Sequence, residues 1–228
     1  MFSSPCLEES AQLTINFFPA PTVLVGTNPL SVCENNAEVV LNGTIVDAFG
    51  LPLTGTWSSN GTGIFTPNAN DLNGTYTPSA SDIANGTVQL TLSSDPAAGC
   101  NSVQEVLTVN FTPSPSVTAT ANPTTICTNN SDVVLDGTIV GASGGVWLGG
   151  LGVYSGGPNH LSNNTYTPTN AELSAGTFTL TLESTGNLNC NPVQDNVVIT
   201  VIDEPIVDAG ADFTYCTNNA CLLYTSLS

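Results

Sequence analysis

Apolar and polar residues alternate most regularly in two seven-residue stretches of this chain. In Gly86–Leu92, a valine and two leucines stand at every second position, with glutamine and threonine between them. Gly176–Leu182 repeats the alternation ninety residues later with a phenylalanine and two leucines. A period of two is typical of a strand with one buried face. We therefore predict a half-buried strand at each stretch.

The two strands belong to a longer duplicated unit. Each is preceded by the same tripeptide, Tyr76–Pro78 in one copy and Tyr166–Pro168 in the other, and then by an acidic residue followed by an aliphatic one. This spacing divides the chain into a first repeat, residues 21–114, and a second repeat, residues 115–205. About 90 residues are enough for each repeat to bury a core of its own.

Partial copies of the unit flank the two repeats. Residues 1–20 align with the end of the first repeat, and we expect them to be the last strand of a truncated preceding repeat. Residues 206–220 match the start of a repeat, because Cys216–Asn219 resembles Cys127–Asn130. Residues 221–228 look like the translation of a sequencing adapter, and we expect them to be an artefact.

Other segments predict further strands, turns and a stiff connector. Ala37–Val46 alternates like a single strand, and Gly61–Phe65 has the glycine spacing of a hairpin. The residues between Pro78 and Asp82 suit one helical turn. Pro113–Pro115 joins the repeats, and prolines at this spacing make a semi-rigid connector that holds modules end to end.

The composition restricts the partners of the chain. There is no lysine or arginine against 18 aspartates and glutamates, which gives a net charge of -18. Such a chain is repelled by phosphate backbones, so we exclude nucleic acid as a partner. No apolar run approaches the roughly 18 residues that a membrane span needs. Stability must come from burial, backbone hydrogen bonds and cross-links.

Four of the seven cysteines occupy equivalent places in the two repeats. We predict one disulfide in each repeat, Cys33 with Cys100 and Cys127 with Cys190, because each repeat contains one pair of cysteines. Each bond is expected to tie the ends of strands. Disulfides imply an oxidising compartment. The alternative role of zinc ligand is weakly supported, since the chain has no Cys-x-x-Cys and a single histidine, His160.

Tryptophan lies between the two cysteines of each repeat, which is the order found in immunoglobulin domains. We predict an all-β fold of tandem immunoglobulin-like antiparallel β-sandwiches. Trp57 and Trp147, with Tyr76 and Tyr166, are expected to be core aromatics because they recur at matching positions. The alternative for the tryptophans is an exposed platform on which sugars stack.

The sequence provides no catalytic constellation. His160 has no counterpart in the first repeat, and no nucleophile, base and orienting acid come together around it. The chain is therefore predicted not to be an enzyme, and no cofactor is expected. Four acids after the second repeat, namely Asp203, Glu204, Asp208 and Asp212, are weak calcium candidates. A solvated linker is the alternative for them.

The repeated unit resembles a known class of surface module. Trp57, Gly61–Phe65, Tyr76–Pro78 and Gly86–Leu92 together are similar to the immunoglobulin-like (PKD/Ig-like) repeats of very large surface adhesins of gliding bacteria. The resemblance implies long tandem arrays, export by type IX secretion, and a role in adhesion or gliding motility. Fold alone does not fix the ligand.

Two functions follow as hypotheses. The first is a non-catalytic stalk or adhesive module of a secreted or cell-surface bacterial protein, whose partners are neighbouring repeats of the same chain and surface glycans or proteins. The alternative is a set of spacer or carbohydrate-binding repeats attached to an extracellular polysaccharide-degrading enzyme. Exposed aromatic residues in a line would favour the alternative, and buried tryptophans the stalk.

Overall fold

The computed structural model describes residues 11–15, 17, 19–96, 100–210 and 212 of the chain. Within these residues the chain forms β-sandwiches in a row, each with one short helix. The fold is all-β, with tandem immunoglobulin-like, mainly antiparallel sandwiches, as the alternating pattern predicted. The helices have five and six residues, so no helix in the described part of the chain is long enough to cross a membrane.

The first repeat is built from two facing layers. Its described elements, in chain order, are β1 (Thr22–Leu24), β2 (Leu30–Cys33), β3 (Val39–Val40), β4 (Thr44–Val46), β5 (Gly55–Ser59), β6 (Ile64–Thr66), β7 (Thr75–Thr77), α1 (Ala80–Ala84), β8 (Thr87–Ser94) and β9 (Gln104–Thr112). One layer is a sheet in the order β2-β9-β8-β5. The other consists of the sheet β3-β7-β6 and the pair β1-β4.

The second repeat has the same plan, but its second layer is one continuous sheet. Its described elements are β10 (Ser116–Asn122), β11 (Thr125–Cys127), β12 (Val133–Val140), β13 (Gly144–Gly149), β14 (Val153–Tyr154), β15 (Asn164–Thr167), α2 (Asn170–Ala175), β16 (Thr177–Thr185) and β17 (Gln194–Ile202). Its sheets have the orders β11-β17-β16-β13 and β10-β12-β15-β14. The two alternating stretches that predicted strands are β8 and β16.

The strand predicted over Ala37–Val46 is interrupted in the first repeat. It appears as β3 and β4, whereas its counterpart β12 is continuous. Between β3 and β4 the amides of Leu41 and Gly43 donate to the carbonyls of Gly74 and Leu72, at 2.9 Å each. The backbone therefore remains hydrogen-bonded, but to the loop before β7 and not to a strand.

A separate hydrophobic core fills each sandwich. Trp57 and Trp147 are each 1% exposed, and Tyr76 and Tyr166 are fully buried, so all four occupy the core positions expected for them. Each tryptophan lies opposite a leucine of the neighbouring alternating strand. The rest of the two cores consists mainly of aliphatic side chains, among them Val39, Leu41, Ile45, Leu90, Leu92, Leu107, Val109, Leu135, Leu180, Leu182 and Ile199.

The segment around Gly61–Phe65 is a crossover between the layers, so the hairpin predicted there is wrong. Strand β5 pairs with β8, while β6 pairs with β7 in the other layer. The amides of Thr62 and Gly63 donate to the carboxylate of Asp82 at 3.0 Å. Because these donors are already engaged, they are not available for the ladder of a hairpin.

The position of the cysteines follows from a parallel strand pair in each repeat. Strand β2 runs parallel to the last strand, β9, and places Cys33 opposite Thr112. Strand β11 places Cys127 opposite Ile202 of β17 in the same way. We call this end of a repeat, where its last strand finishes, the exit pole. The opposite end, where the last strand begins, is the entry pole.

Residues outside the two sandwiches form no described strand. Residues 11–15, for which a last strand was predicted, have none, and Leu13 and Phe17 are largely exposed. Residues 203–210 likewise carry no strand. Cys6, with the rest of residues 1–10, and residues 213–228, with the proposed adapter sequence, lie outside the described residues.

Candidate functional site at the junction of the repeats

A disulfide joins the two repeats. Cys33, at the exit pole of the first repeat, is bonded to Cys190, at the entry pole of the second, with their Cα atoms 5.0 Å apart and a sequence separation of 157. Cys33 is fully buried. The bond therefore spans the boundary between the sandwiches, where it limits their relative motion.

The disulfide pairs predicted within each repeat, Cys33 with Cys100 and Cys127 with Cys190, are wrong. Because β2 is parallel to β9, Cys33 lies beside the end of β9, whereas Cys100 precedes its start. Nine residues of strand separate these ends by about 27 Å at about 3.4 Å per residue. Bridged cysteines need Cα atoms within about 7 Å of each other.

Asparagine side chains reinforce the disulfide. Asn35 and Asn191 are joined by three hydrogen bonds: the Asn191 amide donates to Asn35 Oδ1 at 3.0 Å, Asn35 Nδ2 to the Asn191 carbonyl at 3.0 Å, and Asn191 Nδ2 to the Asn35 carbonyl at 2.8 Å. Asn36 Nδ2 donates to the carbonyl of Asn189 at 3.1 Å, and Asn189 Nδ2 to that of Ser31 at 3.0 Å. The asparagine turn after Cys33 and the loop around Cys190 thus bind each other directly.

All these groups are neutral amides. The chain has no lysine or arginine, so an ion pair between side chains of these two types and acids is impossible at the junction. Each neutral hydrogen bond contributes about 0.5–1.5 kcal/mol. Contacts of this kind depend little on salt or on pH near neutrality, because screening acts on charges.

The connector passes close to the disulfide. Strand β9 ends at Thr112 and β10 begins at Ser116, which leaves three residues for the turn between sandwiches. The carbonyl oxygen of Pro113 lies 4.0 Å from the sulfur of Cys33 and 3.8 Å from that of Cys190. A short proline connector, a covalent bond and five amide hydrogen bonds therefore act at one place.

A second repeated arrangement lies inside each sandwich and holds the crossover. In the first repeat, Tyr76 donates its hydroxyl to Asp82 Oδ2 at 2.8 Å, and the same carboxylate caps α1 by accepting the amide of Ser79 at 3.0 Å. The amide of Gly63 also reaches the Tyr76 hydroxyl, at 3.0 Å. A Cβ at Gly63 would lie 2.6 Å from that hydroxyl, so only glycine allows this approach.

The second repeat has the same arrangement with glutamate. Tyr166 donates to Glu172 Oε1 at 2.5 Å, and this oxygen accepts the amide of Leu151 at 2.9 Å. Glu172 is 5% exposed and its other oxygen accepts the amide of Thr169 at 2.8 Å. This pair was not predicted from the sequence. The signal was the acidic residue six positions after each repeated tyrosine.

Hydrogen bonding keeps these buried acids ionised. Burial alone would raise the pKa of Asp82, but hydrogen bonds from the backbones of Ser79 and Thr62 and from the hydroxyl of Tyr76 outweigh it and lower the pKa to about 2. The pKa of Glu172 is lowered for the same reasons, against the effect of burial. Burial, together with the nearby carboxylate, raises the pKa of Tyr166. In each repeat, the hydrogen bonds of the buried acid therefore hold together the crossover, the short helix and the strand that carries the tyrosine.

The remaining candidates do not form a site among the described residues. The buried tryptophans offer no platform for stacking sugars. His160 is exposed in a loop. The described residues contain no group of three or more histidines, cysteines or acids close enough to hold a metal ion, so the weak calcium candidates are not gathered into a site. Those four acids, Asp203, Glu204, Asp208 and Asp212, are all exposed.

Comparison with known proteins gives structural likeness at low similarity. No family model and no curated protein matches the chain. Among solved structures, it is similar to the EC1-2 fragment of human protocadherin-24, at 17% identity over 83% of this chain and 100% of that one, with a TM-score of 0.36. The insect immune protein hemolin gives 10% identity over 81% and 47%, with a TM-score of 0.39.

Immunoglobulin domains 1–4 of Sidekick-1 give 14% identity over 80% of this chain and 48% of that one, with a TM-score of 0.38. The chain spans about half the length of the hemolin and Sidekick-1 chains that it matches. Likeness at these identities and TM-scores says nothing about partner or activity.

Proposed function

We propose that this chain is a non-catalytic segment of an extracellular stalk or adhesive array, in which β-sandwich repeats are coupled covalently end to end. The observation that carries the proposal is the Cys33–Cys190 disulfide between the repeats. A bond within one repeat would stabilise that repeat alone. A bond between repeats stabilises their relative position, which matters for a protein that projects or transmits force.

The surroundings of the disulfide support the same function. Five hydrogen bonds between neutral amides and a three-residue proline connector act with the disulfide at a single boundary. Repeats that contact mainly their sequence neighbours form quasi-linear arrays. Rigid coupling at the boundary makes such an array extended instead of loosely jointed.

The chemistry of the junction supports an extracellular location. A structural disulfide persists in an oxidising environment, which supports secretion or display on the cell surface. The absence of lysine and arginine also removes the sites at which trypsin-like proteases cut, which suits exposure outside a cell. The resemblance of the repeated motif extends the proposal to a surface adhesin of a gliding bacterium, exported by type IX secretion and acting in adhesion or gliding.

Partners of the proposed array are its own neighbouring repeats and surface glycans or proteins at its tip. The alternative, carbohydrate-binding repeats of a polysaccharide-degrading enzyme, relied on exposed tryptophans. Both tryptophans are 1% exposed, so the observation favours the stalk. A spacer attached to such an enzyme would use the same coupling.

Small-angle X-ray scattering of the oxidised chain tests the proposal. We expect an elongated particle with a narrow distance distribution, and a broader distribution for the double variant Cys33→Ser, Cys190→Ser. Cys127→Ser is the matched control and should scatter like the parent chain. An oxidised parent that is as broadly distributed as the double variant would contradict the stalk. Specific retention of the chain on insoluble cellulose, chitin or xylan would favour the alternative.

A further inference from the structure

The exit pole of the second repeat carries a copy of the structure that binds across the junction. We call Cys127–Asn130 the second exit face, and Cys33–Asn36 the first exit face. In each face, the cysteine forms a single antiparallel β-bridge with the asparagine three positions later. The backbone amide of that asparagine donates to the cysteine carbonyl oxygen at 3.0 Å. In each, the residue after the cysteine also donates its amide to the final carbonyl of the last strand, at 3.0 and 3.1 Å.

The two faces differ in what covers them. The first exit face lies against the loop of residues 187–191, and its Cys33 is fully buried and bonded to Cys190. On the second exit face Asn129 and Asn130 are exposed, and Cys127 is half-buried. Cys127 forms no disulfide with any residue that the structure describes.

The open groove beside the second exit face and the length of the chain after β17 both suit a further repeat docked as at the first exit face. An open groove of about 740 Å³ is lined by Thr128 of the second exit face together with Leu173, Val201 and Asp203. Strand β17 ends at Ile202, and the next proline is three residues on, at Pro205. The first repeat has the same spacing, with Pro115 three residues after the end of β9.

We propose that the second exit face receives the entry pole of a further repeat of this kind, and that Cys127 forms a disulfide with the cysteine in the counterpart of that repeat's 187–191 loop. The inference rests on the proposed function and names the partner of each exit pole. The occupant is deduced from continuity with the junction already formed, because the same residues that bind Cys190 and its neighbours recur on this face. Each exit cysteine then pairs with the entry cysteine of the following repeat.

The bond forms by oxidation of two thiols. Each thiol loses its proton, and the pair gives two electrons to an external low-molecular-weight disulfide, which is reduced to two thiols. In the experiment below the oxidant is glutathione disulfide, which yields two molecules of glutathione for each bond formed.

The test lengthens the full chain by one repeat. A copy of residues 116–205 is inserted directly after Pro205, with Cys127→Ser and Val198→Ile in the copy. The serine removes a competing exit cysteine, and the isoleucine, at an exposed position, marks peptides of the copy by mass. The chain is refolded in reduced and oxidised glutathione, blocked with an alkylating reagent, digested with pepsin without reduction, and mapped by mass spectrometry.

We expect Cys127 of the original second repeat to be linked to the marked Cys190 of the copy, and Cys33 to remain linked to the unmarked Cys190. Asn129→Ala with Asn130→Ala in the second repeat should slow formation of the new bond several-fold and leave the bond at Cys33 unaffected. Alkylation of Cys127 should be fast in the parent chain and at least tenfold slower in the lengthened chain.

Three results would overturn the inference: Cys127 alkylated or joined to glutathione, Cys127 linked within its own repeat, or Cys127 linked to a second molecule in dimers. If Cys33–Cys190 is present when Cys127 is alkylated, joined to glutathione or linked to a second molecule, the proposed function survives and only this inference fails. If Cys33–Cys190 is itself missing from a chain whose circular dichroism shows folded sandwiches, the proposed function fails as well.

Discussion

Replacing Asp82 by asparagine should destabilise the first repeat and alter its response to acid. The carboxylate is 3% exposed and accepts the amides of Thr62, Gly63 and Ser79 and the hydroxyl of Tyr76. The asparagine side chain has nearly the same shape as that of aspartate, but it has one acceptor oxygen where aspartate has two. Its NH₂ group would then face N–H or O–H groups that now donate to the second oxygen. A buried donor left without a partner costs about 1–3 kcal/mol.

The magnitude also follows from the pKa. Hydrogen bonding lowers the pKa of Asp82 from 3.8 to about 2, against the opposing effect of burial. A difference of this size corresponds to about 2 kcal/mol of stability at neutral pH. Because the folded pKa lies below the unfolded one, this stability is present above about pH 4 and is lost as the pH falls toward 2. Asp82→Asn should therefore lower the free energy of unfolding by about 2–4 kcal/mol.

Urea denaturation followed by the fluorescence of Trp57, in a Trp147→Phe background, isolates the first repeat. We expect the parent to lose about 2 kcal/mol between pH 4 and pH 2, and the asparagine variant to lose much less over that range. Asp95→Asn is the matched control, since Asp95 is exposed and bonded to the hydroxyl of Thr54. It should change stability by less than about 1 kcal/mol. If Asp82→Asn changed stability by less than about 1 kcal/mol and left the acid sensitivity of the first repeat unaltered, the buried carboxylate would not stabilise that repeat as described.

Three further predictions concern the core, the junction and the acidic segment. Trp57→Ala should cost the first repeat about 3–5 kcal/mol by urea denaturation, because the side chain is fully enclosed; a loss below about 1 kcal/mol would contradict its core role. Asn35→Ala removes two hydrogen bonds to Asn191 and should make reduction of the Cys33–Cys190 disulfide by dithiothreitol several-fold faster. The matched control Asn129→Ala should leave this rate unchanged. Equal reduction rates in the two variants would contradict a stabilising role of the amide contacts. Millimolar calcium should not raise the melting temperature, since the acids after the second repeat do not gather; a rise of several degrees that chelator reverses would contradict this.

The sequence pattern predicted β8 and β16 well because one physical rule decides them. A strand with one buried face must alternate, and β8 and β16 show apolar residues on the core side at every second position. Equivalent positions of Trp57 and Trp147 pointed to the core for a similar reason. Chance rarely places the same large side chain twice at matching positions unless packing requires it.

The disulfide could not be predicted from spacing alone. Equivalent cysteines in two repeats can pair within one repeat or between neighbouring repeats. The presence of two cysteines in each repeat is compatible with either pairing. The outcome depends on β2 running parallel to β9, which moves Cys33 to the exit pole. Strand direction of this kind depends on the turn before β2 and on the whole sheet, so the local sequence around Cys33 does not reveal it.

The tyrosine and acid pairs were missed for a different reason. Tyr76 and Asp82 were each visible in the repeated motif, but one was assigned to the core and the other to a helical turn. Their contact arises because α1 brings its capping carboxylate over the end of β7. The substitution of glutamate for aspartate at the equivalent position, Glu172, hid the pairing further.

The Cys33–Cys190 disulfide couples the two repeats across their boundary. To test this coupling, free thiols of the native, unreduced 228-residue chain are blocked at acid pH, the chain is digested with pepsin, and the disulfide-linked peptides are identified by mass spectrometry. We expect a peptide pair that joins Cys33 to Cys190. Peptides that join Cys33 to Cys100, or Cys127 to Cys190, would contradict it.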